Sequence, residues 1–331
     1  MTSTPPMAPW QERAYVRAAA AMDAGRLGHA LLICGPAQLG KRAVADRLAY
    51  RALCRTRDAQ GEACGTCRSC RLFKAGTHPD FTVVSFVMNK ENTRLRTEVV
   101  IDQIRALSAS MSLTPQFGGA QVVIVDPADA VNPAALNALL KTLEEPQPGR
   151  YLWLVTSNPA RLPATIRSRC QRLEFALPPA DEALAWLQSQ GHASAAAAEA
   201  LAAARGHPGL ADAWLRDGGL ALRRQVIADL QSLAEGNASA AATAQRWAAD
   251  EHASLRLRFA ADHAVALATS LTDPSRTRSL AKWFDAANRT RALLRTTVRT
   301  DLAIAELLLA WPLDSGGKAD GRRMGMTGEV R

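Results

Sequence analysis

The chain has 331 residues, too many for one ordinary domain and enough for two or three. Hydrophobic residues make up 48%, no apolar run approaches the ~18 residues of a membrane span, and the N-terminus lacks the apolar core of a signal peptide, so a cytoplasmic, membrane-free protein is expected. The net charge of +9, from 40 Lys+Arg against 31 Asp+Glu, weakly favours an anionic partner such as nucleic acid without establishing one, because the arginines are dispersed along helices.

From Tyr15 to about Phe175, apolar runs alternate with amphipathic stretches, the rhythm of a parallel α/β sheet. A strand over 29–34 runs into Gly35-Pro36-Ala37-Gln38-Leu39-Gly40-Lys41-Arg42. A phosphate loop reads G-x-x-x-x-G-K-[ST]: backbone N–H groups hold the phosphates, the lysine reaches the terminal ones, and the hydroxyl ligates Mg²⁺. Gly35, Gly40 and Lys41 stand in their places, whereas Arg42 is a cation with no lone pair for a metal. A helix over 41–54 follows, with Val44, Leu48 and Leu53 on one side.

Cys54, Cys64, Cys67 and Cys70 lie within 17 residues, three of them at C-x-x-C-x-x-C spacing, with Gly61 and Gly65 to supply tight turns. Four such thiols suit a tetrahedral zinc site with Zn–S near ~2.3 Å, and a full ligand set favours a structural role. Disulfides compete but suit an oxidising compartment, and a redox C-x-x-C leaves the other two thiols unexplained. Cys34, inside a strand, reads as core.

Strands are then expected over 81–87, 121–126 and 151–156, with a helix over 99–111. Asn132-Pro133 opens another helix as N-cap and first-turn proline, Leu136, Leu139, Leu140 and Leu143 form its apolar stripe, and Glu144-Glu145-Pro146 ends it. Asp126 closes its strand where an ATPase holds Mg²⁺, but Pro127 follows instead of the acid that orients the attacking water. Ser157-Asn158 stands where a polar sensor of the γ-phosphate would sit. In Ile166-Arg167-Ser168-Arg169-Cys170, Arg169 is either a surface ion-pair partner or a finger reaching into a neighbour's nucleotide site. After Leu177-Pro178-Pro179 the chain turns to alanine-rich helix, with Gly206-His207-Pro208-Gly209 as a turn, Gly218-Gly219 as a break, and Trp247, Trp283 and Trp311 as core anchors.

The loop at 35–42, the cysteine cluster, Gly76-Thr77-His78-Pro79-Asp80, the run Asn137-Ala138-Leu139-Leu140-Lys141-Thr142-Leu143-Glu144-Glu145-Pro146 and Ser168-Arg169-Cys170 together resemble the AAA+ clamp-loader subunits, and among them the delta-prime family of bacterial DNA polymerase III. The likeness covers roughly residues 10–215 by motif and the rest by architecture alone. It implies an AAA+ P-loop-type α/β domain with a zinc insertion over residues 1–176 (cysteine module at about 54–70), a small helical lid over 177–218, a helical oligomerisation collar over 219–313 and a disordered tail over 314–331.

It also implies that Arg169 acts in trans on ATP held by an adjacent subunit. Cys54, Cys64, Cys67 and Cys70 would carry structural zinc, and ATP would be bound, if at all, at Gly35, Gly40, Lys41 and Asp126 without being hydrolysed. The implied partners are tau/gamma motor and delta subunits, the sliding clamp and primer–template DNA, within a DNA-directed DNA polymerase (nucleotidyltransferase) assembly. Gly206-His207-Pro208-Gly209 lacks the lid arginine of the motor subunits. Two other readings compete: an autonomous ATP-hydrolysing motor, and a zinc-dependent DNA-binding protein on a P-loop scaffold.

Overall fold

The computed structural model describes residues 7–312 apart from Lys90, Asn92 and Arg295; the tail expected over 314–331 lies outside the described residues. Two compact units divide the chain, residues 1–213 and 214–331.

The first unit begins with α1 (Pro9–Asp23), then β1 (Ala30–Cys34), α2 (Lys41–Leu53), α3 (Arg68–Lys74), β2 (Phe81–Val84), α4 (Ile101–Ser112), β3 (Gln121–Val125), α5 (Pro133–Glu144), β4 (Arg150–Thr156), α6 (Ala164–Arg167) and β5 (Gln171–Glu174). The strands form one parallel sheet in the order β2-β3-β4-β1-β5. β1, and β3 after Gln121, are apolar without alternation because both sheet faces are covered. Leu32, Val123, Val125, Leu152 and Leu154 pack with residues of α4 and α5, while Leu31, Ile33, Val122, Ile124 and Trp153 pack with residues of α1 and α2. After the sheet come α7 (Ala180–Ser189), α8 (Ser194–Ala203) and α9 (Pro208–Arg216), and the division between units falls within α9. This is the AAA+ fold expected from the motifs.

Three local expectations differ. β2 stops at Val84, because Met88 bridges back to Leu95 and the Asn89 side-chain oxygen accepts from the Thr93 and Arg94 N–H groups, turning the chain on itself. Pro208 and Gly209 open a helix rather than forming a turn, since a first-turn proline has no N–H to leave unpaired. α1 and β5 were not anticipated; β5 buries only Leu173 of its four residues and so carries no periodic signal.

The second unit contains α10 (Gly219–Ala234), α11 (Ala240–Ala248), α12 (Ala253–Ser270), α13 (Pro274–Leu293) and α14 (Thr300–Leu309). Trp247, Trp283 and Trp311 are all buried, as expected. Trp283 meets Trp311 edge to face at 4.6 Å and donates its indole N–H to the Leu307 carbonyl, while Trp247 donates to Asp229, so these two rings fill the core with their polar atoms paired, whereas the buried Trp311 indole nitrogen has no partner among the described residues. Among the described residues no helix is long and apolar enough to cross a membrane.

Candidate functional site

The glycine loop joins β1 to α2 and is packed from several directions. Gly35 has φ +135°, and a Cβ there would lie 2.2 Å from the Phe175 carbonyl oxygen, so only glycine fits. From α1, the Trp10 indole and the Gln11 amide both donate to the Leu39 carbonyl, at 3.0 and 3.1 Å. At the start of α9, a Cβ on Gly209 would lie 2.0 Å from the Gln38 carbonyl oxygen, so this helix end rests on the loop backbone. Gly209 is thus a close-approach residue.

Lys41 is 5% exposed. Its ammonium donates to the Gly35 and Pro36 carbonyls at 2.9 and 2.6 Å and to the Ser157 hydroxyl at 3.2 Å, uniting the phosphate-loop lysine with the expected sensor serine. Burial pulls its pKa down, opposed by Asp126 and Asp129. Asp129 escaped the sequence reading. Its carboxylate accepts from the Thr156 hydroxyl and the Ser157 N–H and so fixes the end of β4.

Arg42 stands where a Ser or Thr would ligate Mg²⁺. Its Nε donates to Asp46 at 2.8 Å, and its terminal nitrogen lies 3.6 Å from Asp126. Burial pushes the Asp126 carboxyl up, and Arg42 pulls it back down. A fixed organic cation therefore faces the acid that a hydrolysing site directs at the metal.

The four cysteines converge. Their sulfurs all lie within 4.8 Å of one another, with Cys54 to Cys64 at 3.6 Å and Cys64 to Cys70 at 4.0 Å. A tetrahedron with metal–sulfur bonds of ~2.3 Å has sulfur edges of about 3.8 Å, so the thiols fit a Zn²⁺-sized ion. N–H groups of Cys64, Cys67 and Cys70 point at the sulfurs of Cys54, Cys64 and Cys67, an arrangement that favours thiolates. Such an ion would tie the α2 end to the α3 start.

Two polar networks centred on buried residues hold this module. Arg51, 3% exposed, bridges Asp23 of α1 at 2.5 Å and Glu62 of the cysteine loop at 3.0 Å. Ser69 donates to the Leu53 carbonyl at 2.6 Å, so His78 Nε2, 2.7 Å away, is the donor to Ser69, while His78 Nδ1 accepts the Asp80 N–H. Burial lowers the His78 pKa, consistent with this neutral tautomer. Asp80 accepts from the Gln116 and Phe117 N–H groups. Within the Gly76–Asp80 motif, His78 and Asp80 are therefore a buried strut.

Arg169 lies beyond α6, away from these networks. It pairs with Glu144 at 2.6 Å and donates to the Thr165 carbonyl at 3.0 Å, with its side chain 37% exposed. Cys170 beside it is buried.

Sequence comparison gives this geometry a family. The model described as "DNA polymerase III, delta subunit" matches residues 10–179. DNA polymerase III subunit delta' of Pseudomonas aeruginosa is 37% identical over 241 residues, 72% of this chain and 70% of that protein. Subunit delta' of Escherichia coli is 38% identical over 205 residues, 61% of this chain and 59% of that protein. Subunit tau of Escherichia coli is 33% identical over 167 residues, which is 50% of this chain and only 24% of tau. With its glycine loop, cysteine cluster and Ser168-Arg169-Cys170 set on one AAA+ sheet, the chain belongs to the delta' family of DNA polymerase III subunits.

Proposed function

We propose that this chain is a non-hydrolysing clamp-loader subunit, acting in the cytoplasm beside ATP-hydrolysing motor subunits and a delta subunit to place the sliding clamp on primed DNA. The reading rests chiefly on Arg42 facing Asp126 and Asp46, where a hydrolysing site would hold Mg²⁺ between a hydroxyl and that acid. Pro127 adds a second, independent loss, since it cannot orient an attacking water. The loop survives as packed scaffold, clamped by α1 and by Gly209.

Arg169 is the group offered to a neighbour. It stays partly exposed and far along the chain from the degenerate loop, and a trans-acting arginine neutralises charge on a transferring phosphoryl group. Residues 1–176 would form the AAA+ domain, 177–218 the lid and 219–313 the collar through which subunits join. Cys54, Cys64, Cys67 and Cys70 would hold structural zinc, which supplies cross-linking and no chemistry.

ATP turnover tests both halves. The isolated chain should show no Mg²⁺-dependent hydrolysis; turnover abolished by Lys41→Ala would make it an autonomous motor instead. In the complex reconstituted with motor subunits, clamp and primed DNA, Arg169→Ala should leave assembly near normal. Hydrolysis at the affected site should then drop on the order of 10³-fold.

A further inference from the structure

Arg169 is anchored within its own chain. One terminal nitrogen pairs with Glu144 at 2.6 Å and the other donates to the Thr165 carbonyl at 3.0 Å. The Thr165 bond engages one of the guanidinium's five N–H donors, and Glu144 adds an ion pair on the other terminal nitrogen. The side chain keeps 37% of its surface in solvent, so the anchored arginine is not enclosed by its own chain.

Glu144 is costly where it stands. It is the last residue of α5, where the helix macrodipole is negative and cations are favoured, and Glu145 follows it immediately. Helix stability alone would not place a carboxylate there. Arg169 is its ion-pair partner, brought to it by the short α6 and the turn that follows.

We propose that Glu144 is a positioning residue for Arg169, holding its guanidinium aimed at the phosphate oxygens of a nucleotide on an adjacent subunit. This rests on the arginine-finger reading. An unanchored arginine samples many rotamers, and each transition state must freeze it. With the Glu144 carboxylate and the Thr165 carbonyl already engaged, that ordering is complete before the nucleotide arrives. Thr165 sets the height of the fork, and Glu144 sets its direction.

The experiment is steady-state ATP hydrolysis by the complete reconstituted complex with clamp and primed DNA, using the full-length chain as parent, E144A, E144Q, R169A and E144A/R169A. E144A should lower kcat roughly fivefold, the scale of a partly exposed ion pair, with the KM for ATP unchanged within about twofold. E144Q should fall towards E144A, since the contact is an ion pair and the amide carries no charge. On an R169A background, E144A should change nothing further, because the two residues act as one unit.

If E144A matches the parent while R169A is impaired, the positioning role is wrong and the finger reading stands. A further drop from R169A to the double variant means that Glu144 acts elsewhere, which also overturns the proposal. If R169A itself turns over ATP like the parent, the finger reading falls and the proposal with it. Should E144A fail to assemble, E144D gives the same comparison by withdrawing the carboxylate one methylene on an exposed helix end.

Discussion

At Gly35 the backbone itself decides the residue. A side chain there meets both a φ of +135° and the Phe175 carbonyl, whereas Gly76, at φ +70°, has open space around its missing Cβ. Gly35→Ala should therefore cost on the order of 3 kcal/mol and Gly76→Ala about 1 kcal/mol, read as shifts in denaturant midpoint. Comparable losses at the two sites would mean that the loop is not packed against the β5 end. Arg42 shows the converse case, in which the residue type was readable but its consequence was not. The sequence marks it as unable to bind a metal; only the fold shows its guanidinium lying between Asp46 and Asp126. Asp129 was illegible for the same reason, since its partners Thr156 and Ser157 arrive from another strand.

Elements with strong local signals were readable, and those defined by partners were not. α5 follows its Asn132 cap, whose side chain accepts the Ala135 N–H at 2.9 Å, and it buries Leu136, Leu139 and Leu143 as its spacing required. β5 exists because β1 offers it an edge, and its own residues say little. At the start of α12, Arg256 is 8% exposed and pairs with Asp250 through both carboxylate oxygens, and Asp250 also accepts the His252 N–H. The Arg256 hydrogen bonds hold the Asp250 carboxyl well below its usual range. A depressed folded-state pKa adds stability above the unfolded value near ~3.9 and loses it as pH falls through that value towards the folded one. Asp250→Asn should thus lower stability by about 1 kcal/mol at neutral pH, a figure discounted for the exposure of the carboxylate. The gap between variant and parent should close below about pH 4 in thermal melts. A gap independent of pH would show that the ion pair is not its source.

At the scale of the whole molecule the chain divides into two compact units, and a perturbation in one is read first within that unit. The cysteine module belongs to the first unit and is tied into it by Arg51 and by the Ser69–His78 strut. Cys67→Ser or chelation should release about one zinc per chain and speed amide exchange in α2, α3 and β2, with α12 to α14 unchanged. Loss of DNA affinity with exchange unaltered would favour a nucleic-acid role for the module instead. The +9 charge does not decide between these outcomes, because a net charge does not locate a cationic face.

By itself the sequence determined four of the five sheet-forming segments, the cysteine set, the degenerate phosphate loop and the family motifs, because each is written in contiguous residues whose chemistry acts locally. Tertiary structure decided what those residues face. It set Lys41 against its own loop carbonyls, put Arg42 before Asp126, seated Gly209 on Gln38, made the His78 motif a strut and paired Arg169 with Glu144. These contacts join residues from separate strands, helices and loops, and no local pattern encodes a distance between elements that only packing brings together.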